Sequence, residues 1–375
     1  MLFLKRTGVT YLPLHYGRAP SWLTTRMRKL TVSIITVLIN EYGRKEFIQR
    51  ISNPFWFQAL SCCIGYDWHS SGTTTVATAV LKNVLDPEEH GVAACGGKGK
   101  TSLKTPTEIV NIGEKMGFST KKIQRLVYAS RMSAKVDNTA IQSGYPLYHH
   151  AFFFTEDNEW AVIQQGMDVK DKTARRYHWL SDNVNSFVLE PHNAILCDMK
   201  RDVVLNMTDK SCEGCRKTSR DISREKPKKI FRMLKSIKPS YQKSLSEWMP
   251  IKESEFTANI LYLPKNLNWK ALKKAYETQP KNYEELLAIR GIGPATVRGL
   301  ALISELIYGE KPSWKDPVKY SFAFGGKDGV PFPVNRKSMD KAIQILETGI
   351  EEAKIGKWEK KSALKRFRKI VPPTL

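Results

Sequence analysis

Along the first third of the chain hydrophobic residues recur at helical spacing; through the middle they alternate with polar ones. After a short extended start at 9–14, Leu23, Met27, Leu30, Ile34 and Leu38 share one face of a helix that opens at Arg18–Trp22 and runs to Tyr42, where Gly43 ends it. Phe47, Ile51, Phe55, Trp56, Phe57, Leu60 and Ile64 continue an aromatic-rich segment. Its rings fall among Ile and Leu, so it reads as core packing and not as base stacking. A polar turn at 68–75 leads into an apolar helix over 76–85, and Thr105, Pro106 and Glu108 mark a helix start with Thr105 as cap. From Tyr145 to about Thr208 the period drops to two. Strands are expected at 148–155, 160–167 and 173–180, joined by turns at 156–159 and 168–172, with shorter ones at 186–189, 194–197 and 203–207. The prediction is an α+β chain in four parts: a mainly helical region 1–145, an antiparallel β-meander 146–208, a basic helical linker or arm 209–255, and a helical C-terminal part 256–375 with a basic tail.

Within the last part, residues 287–297 read as two short helices joined by a Gly-hydrophobic-Gly bend, the helix-hairpin-helix pattern. Gly291 and Gly293 can adopt positive φ and expose amide hydrogens, Ile292 tucks into the bend, and Pro294 suits the first turn of the following helix. A phosphate would meet free N–H donors and the positive end of a helix dipole there, so contact would be to backbone and tolerant of sequence. Arg290, Gly291, Ile292, Gly293, Thr296 and Arg298 are the DNA-binding candidates of this segment.

Charge points to the same partner. Sixty Lys and Arg against 37 Asp and Glu give a formal charge of +23, which favours a polyanion. The N-terminus lacks a signal-peptide core, and the longest apolar run, 30–39, is too short to span a bilayer, so a cytoplasmic protein without membrane attachment is expected. Cys212 and Cys215 form a lone C-x-x-C; with no second pair, and only Cys197 and His192 to complete a zinc site, they read as reduced surface thiols.

Other segments carry candidate chemistry. Gly113, Gly117, Ile123 and Leu126 occupy helix-turn-helix positions within 105–131, which leaves Lys121, Lys122, Gln124, Arg125 and Tyr128 on the outward side of the second helix. The run 94–101 matches a loose phosphate-loop pattern, but its helix signal starts several residues late, so Lys98 and Lys100 read as a basic loop touching nucleic acid. In the meander His149, His150, Gln164, Gln165, Arg175, Arg176 and His178 could gather on one sheet face as a catalytic cluster. Asp137, Glu156, Asp157 and Glu159 are the carboxylates available to bind magnesium or manganese for phosphodiester cleavage.

The segments 11–20, 67–72, 96–101, 148–150, 160–167, 175–179 and 322–329 together resemble a prokaryotic family catalogued as a domain of unknown function, number 763. That likeness spans most of the chain and implies no catalytic residue. A partial similarity to helix-hairpin-helix DNA glycosylases is also present, but Asn335 in Pro333-Val334-Asn335 stands where those enzymes carry a carboxylate. The expected function is DNA binding in genome maintenance or repair, with DNA favoured over RNA and a homo-oligomer left open. A metal-dependent nuclease centred on the meander is the alternative, and a nucleotide-driven remodeller a weaker one.

Overall fold

The computed structural model describes residues 21–65, 71–197, 200–237, 264, 266–318, 346–353 and 356–368. The extended start at 9–14, the 67–70 motif, the end of the basic arm, and the segments 322–329 and 333–335 lie outside the described residues.

An antiparallel five-stranded sheet organises the α+β fold. Strands β1 (Val92–Lys98), β3 (Leu147–Thr155), β4 (Trp160–Asp168), β5 (Thr173–Leu180) and β6 (Ala194–Cys197) lie in that order, and β2 (Ile141–Gln142) pairs separately with β7 (Leu205–Asn206). The three long strands match the alternating segments of the sequence. Residues 186–189 are turns instead of the expected strand. Phe187 and Val188 turn toward the core there, with Phe187 N bonded to Glu284 Oε2 and Val188 N to Ser186 Oγ, so burial in an irregular loop mimics a strand pattern.

Helices cover both sheet faces, which is why the strands are buried almost end to end and Phe152, Phe153 and Phe154 are all inaccessible. One face meets α1 (Ser21–Ser52), α2 (Pro54–Cys63) and α3 (Ser71–Val84). α1 is broken at Gly43, whose φ of 84° ends the first helical stretch where the pattern predicts. α4 (Pro87–His90) leads into β1. After β1 a 3-10 turn, Gly99–Lys104, feeds α5 (Thr105–Lys115). Thr105 lies inside that helix and is not its cap; Glu108 takes the Gly96 amide and Lys82 Nζ, each at 2.6 Å, and ties β1 to α3.

On the other face α5 and α6 (Thr120–Lys135) form a helical hairpin over the segment read as a helix-turn-helix. Gly117 has φ +70°, and a Cβ on Gly113 would stand 2.8 Å from Ile123, so only glycine allows this approach. Ser119 caps α6 by accepting from Lys122 N. A π turn, Val136–Ala140, closes α6. The same core continues into α7 (Glu213–Ser223), α8 (Pro227–Ser236), α9 (Trp269–Thr278), α10 (Tyr283–Ala288) and α11 (Pro294–Tyr308). α12 (Lys357–Arg368) packs on α2. No helix among the described residues is long and apolar enough to cross a membrane.

Candidate functional site

Strand register decides where the polar residues of the meander go. His149 pairs with Gln165 and Gln165 with Arg176, while His150 pairs with Gln164 and Gln164 with Tyr177. Successive side chains point to opposite faces. His150, Gln164 and Arg175 therefore face α6, whereas His149, Gln165, Arg176 and His178 face α1 to α3. The expected single cluster is two clusters separated by the sheet.

Toward α6 the hub is Asp137, in the π turn. Gln164 Nε2 and Trp179 Nε1 donate to its Oδ2, and His192 Nε2 contacts its Oδ1. Gln164 Oε1 meets His150 Nδ1 at 2.8 Å, and His150 Nε2 meets Ser130 Oγ at 2.9 Å. Arg175 forms a two-pronged pair with Asp316, at 2.9 and 2.6 Å. Burial works against its charge, yet Tyr177, Cys197 and Asp316 together raise its pKa above the ordinary value.

Toward α3, Gln165 bonds Thr74, the Ser71 carbonyl and Tyr148, whose position follows a register shift in β3; Thr78 meets His149 Nε2 at 3.0 Å. Arg176 reaches Thr74 and Gln58, and burial lowers its pKa to about 9. Burial, with help from His150 and Lys98, pulls His149 down to about 3. His178 falls well below its ordinary value through burial and Arg176. The seven meander candidates are at most 5% exposed. Their geometry makes them polar ties between sheet and helices.

The metal candidates do not meet. Asp137 is enclosed under the sheet, whereas Glu156 and Asp157 are exposed in the β3–β4 turn beside Arg44, and Glu159 accepts from Thr155 Oγ1. Among the described residues no three His, Cys, Asp or Glu side chains converge to hold a metal ion. Cys212 and Cys215 are buried and free, not surface thiols as expected: Cys212 Sγ lies between the Asn206 carbonyl and the Ser313 amide, and burial lifts Cys215 to about 12.

The bend between α10 and α11 is more open. Gly291 has φ +96° and Ile292 is fully buried beneath the turn. Gly293 is extended, with φ −118°, so only one of the two glycines needs positive φ; Gly293 caps α11 and lends no side chain to its first amides. Gly291, Gly293 and Ala295 are partly exposed, and Arg290 is exposed. Thr296 and Arg298 turn inward: Thr296 is 1% exposed, and Arg298 donates to Gln142 Oε1 at 2.9 Å over the Trp314 ring.

α6 lies alongside this bend. Tyr128 OH donates to Glu284 of α10 at 2.8 Å, and Lys135 Nζ reaches the Ile289 carbonyl at 3.4 Å. Lys121, Gln124, Arg125, Tyr128 and Arg131 form its exposed stripe. Lys122 does not join them; it lies across the Phe118 ring at 3.4 Å and donates to the Glu156 carbonyl. Lys98 and Lys100 are exposed around the start of the 3-10 turn.

In comparison with protein families, the model for "Protein of unknown function (DUF763)" matches residues 8–334. The chain belongs to this family. No curated protein and no solved structure matches it. The match includes both the sheet and the glycine bend. The family-like segments at 148–150, 160–167 and 175–179 are those that build the two buried polar clusters, so their residue types have a structural role inside the fold. Sequence reasoning missed Asp316, His192 and Trp179 as partners. Asp316 lies 141 residues from Arg175, and no local pattern signals such a pairing.

Proposed function

We propose that the chain is a DNA-binding protein of genome maintenance or repair that grips the phosphate backbone with a helix-hairpin-helix formed by α10, the glycine bend and α11. The observation that carries this reading is the partly exposed N-terminus of α11, uncapped by any side chain of Gly293, beside exposed Arg290. Amide donors and dipole there favour an anion, and the α6 stripe adds cations on the adjoining surface. The net charge of +23 fits the same partner. Free cysteines suit a reducing compartment, and a cytoplasmic location goes with this reading.

Gly293→Asp gives a clean test. A Cβ at Gly293 meets nothing closer than a carbonyl oxygen 4.0 Å away, the backbone there accepts any residue, and Asp is a good helix cap. The variant should fold while its carboxylate takes the amides a phosphate needs. Duplex affinity measured against salt should be micromolar or tighter with a steep negative slope in the parent, and weaker by at least roughly tenfold in the variant. Salt-insensitive binding, or equal affinity in both proteins, sinks the reading. RNA duplex and hairpin arms in the same titration decide between DNA and RNA.

A further inference from the structure

A cleft of about 420 Å³ opens between α6, the β3–β4 turn and the loop that follows β5. Lys121, Gln124, Arg125 and Tyr128 form one wall, Asn158, Ser181 and Val184 the other, and Trp160 with Phe187 the floor. We infer that this cleft takes an unstacked nucleobase from a polynucleotide strand held on the neighbouring glycine bend, an inference that rests on the DNA-binding reading.

The floor is a rigid aromatic surface. Trp160 and Phe187 stack at 6.0 Å and 4°, and Trp160 stacks again on fully buried Phe152 at 5.8 Å and 18°. Tyr128 meets Phe187 edge-on at 5.6 Å. Glu284 holds both in place, accepting from Tyr128 OH and from Phe187 N. Trp160 is only 9% exposed beneath these contacts, so the ring open to a base is Tyr128, 39% exposed and held by its bond to Glu284. A ring fixed before binding favours stacking of any base, because it needs little ordering when one arrives. The volume falls within the range of about 300–1,000 Å³ typical of small-ligand sites.

The walls supply the rest of a nucleotide's needs. The Gln124 and Asn158 amides each offer a donor and an acceptor to a base edge, and Lys121 and Arg125 offer charge to its phosphate. Glu284 belongs to α10, the helix that leads into the glycine bend, so the cleft and the bend share a support. From Tyr128 to Lys135, which touches the bend, α6 advances about 10 Å, the length of about three stacked nucleotides. Exposed Arg131 lies between them. A strand gripped at the bend would therefore run along α6 and deliver a base to the cleft.

Photo-cross-linking tests this directly. A single-stranded oligonucleotide carrying halogenated uracil is irradiated with the full chain and the adducts are mapped by mass spectrometry; adducts on Tyr128, Trp160 or Phe187 are expected. Val184→Trp and Gln124→Trp fill the cleft from opposite walls. Each should abolish those adducts and weaken single-strand binding roughly tenfold, with a far smaller effect on duplex. Adducts only elsewhere, or undiminished single-strand affinity in both folded variants, overturn the cleft assignment while duplex binding by the parent keeps the DNA reading standing. Absence of binding to either nucleic acid overturns both.

Discussion

The sheet interior and the α6 rim both carry polar side chains and use them in opposite ways. Inside, the meander's histidines, glutamines and arginines sit in the walls between sheet and helices, tied to Asp137, Asp316, Thr74 and Gln58. Along the rim, Lys121, Gln124, Arg125 and Arg131 face outward, and the α11 amides lack a side-chain cap. Crowded chemistry-bearing residues in a sequence thus mark a buried framework in one place and an accessible surface in the other. Strand register and burial separate the two.

The largest expected effect is on pH dependence, and it should come from the interior alone. Buried His149, His150 and His178 all have pKa values below the ordinary 6.5. Above that pH they are neutral folded or unfolded, so stability is complete. As pH falls below 6.5 the unfolded chain takes up protons that the native one refuses, and stability drops. For His149 the loss runs down to about 3, on the order of 1 kcal/mol for each pH unit. Urea unfolding between pH 7 and pH 5 checks it; a flat profile means the interior is wetter than its burial implies.

Next come the interior's charged hubs. Asp316→Ala leaves the fully buried Arg175 guanidinium without its carboxylate, and a loss of about 3–5 kcal/mol is expected. Asp137→Ala strands the Gln164, Trp179 and His192 groups together, with a cost of similar order. Denaturant midpoints for both variants measure this. A loss below about 1 kcal/mol in either would place that pair in the same class as the exposed rim contacts.

Much of the framework was legible from pattern. The three long strands, the stop at Gly43, and the α5–α6 hairpin with Gly113 against Ile123 follow from periodicity and glycine placement. The short strand at 186–189 did not form, because Phe187 and Val188 find burial without a ladder. The candidate site was legible only in part. The sequence lists His149 and His150 as neighbours, but adjacent strand residues face opposite sides, and nothing local shows that both sides are covered. Likewise Lys121 and Lys122 look equivalent until Phe118 and Glu156 claim the second. The aromatic cleft depends on Trp160, Phe187 and Tyr128 meeting from three segments, and no spacing rule records that.

A smaller effect is expected at the joint between the regions. Gly113→Val pushes into Ile123, and the overpacking should cost about 1–3 kcal/mol in denaturant unfolding. Adding Ile123→Ala should recover part of that loss, because it removes the atoms that the new side chain meets. If Ile123→Ala instead adds its full cost to that of Gly113→Val, the close approach of α5 and α6 is not what requires the glycine.

The smallest effect on stability, and the sharpest division within the rim, is predicted for the exposed cations. Arg290→Ala should leave the unfolding midpoint within about 0.5 kcal/mol of the parent because the side chain is exposed. It should also reduce the slope of log affinity for duplex DNA against log salt by about one. Lys122→Ala should do the reverse, since its ammonium already serves Phe118 and the Glu156 carbonyl: a small loss of stability with an unchanged salt slope. Equal salt slopes for the two variants would mean that burial does not sort the rim's cations, and that the charge of the whole chain, not this surface, draws the polyanion.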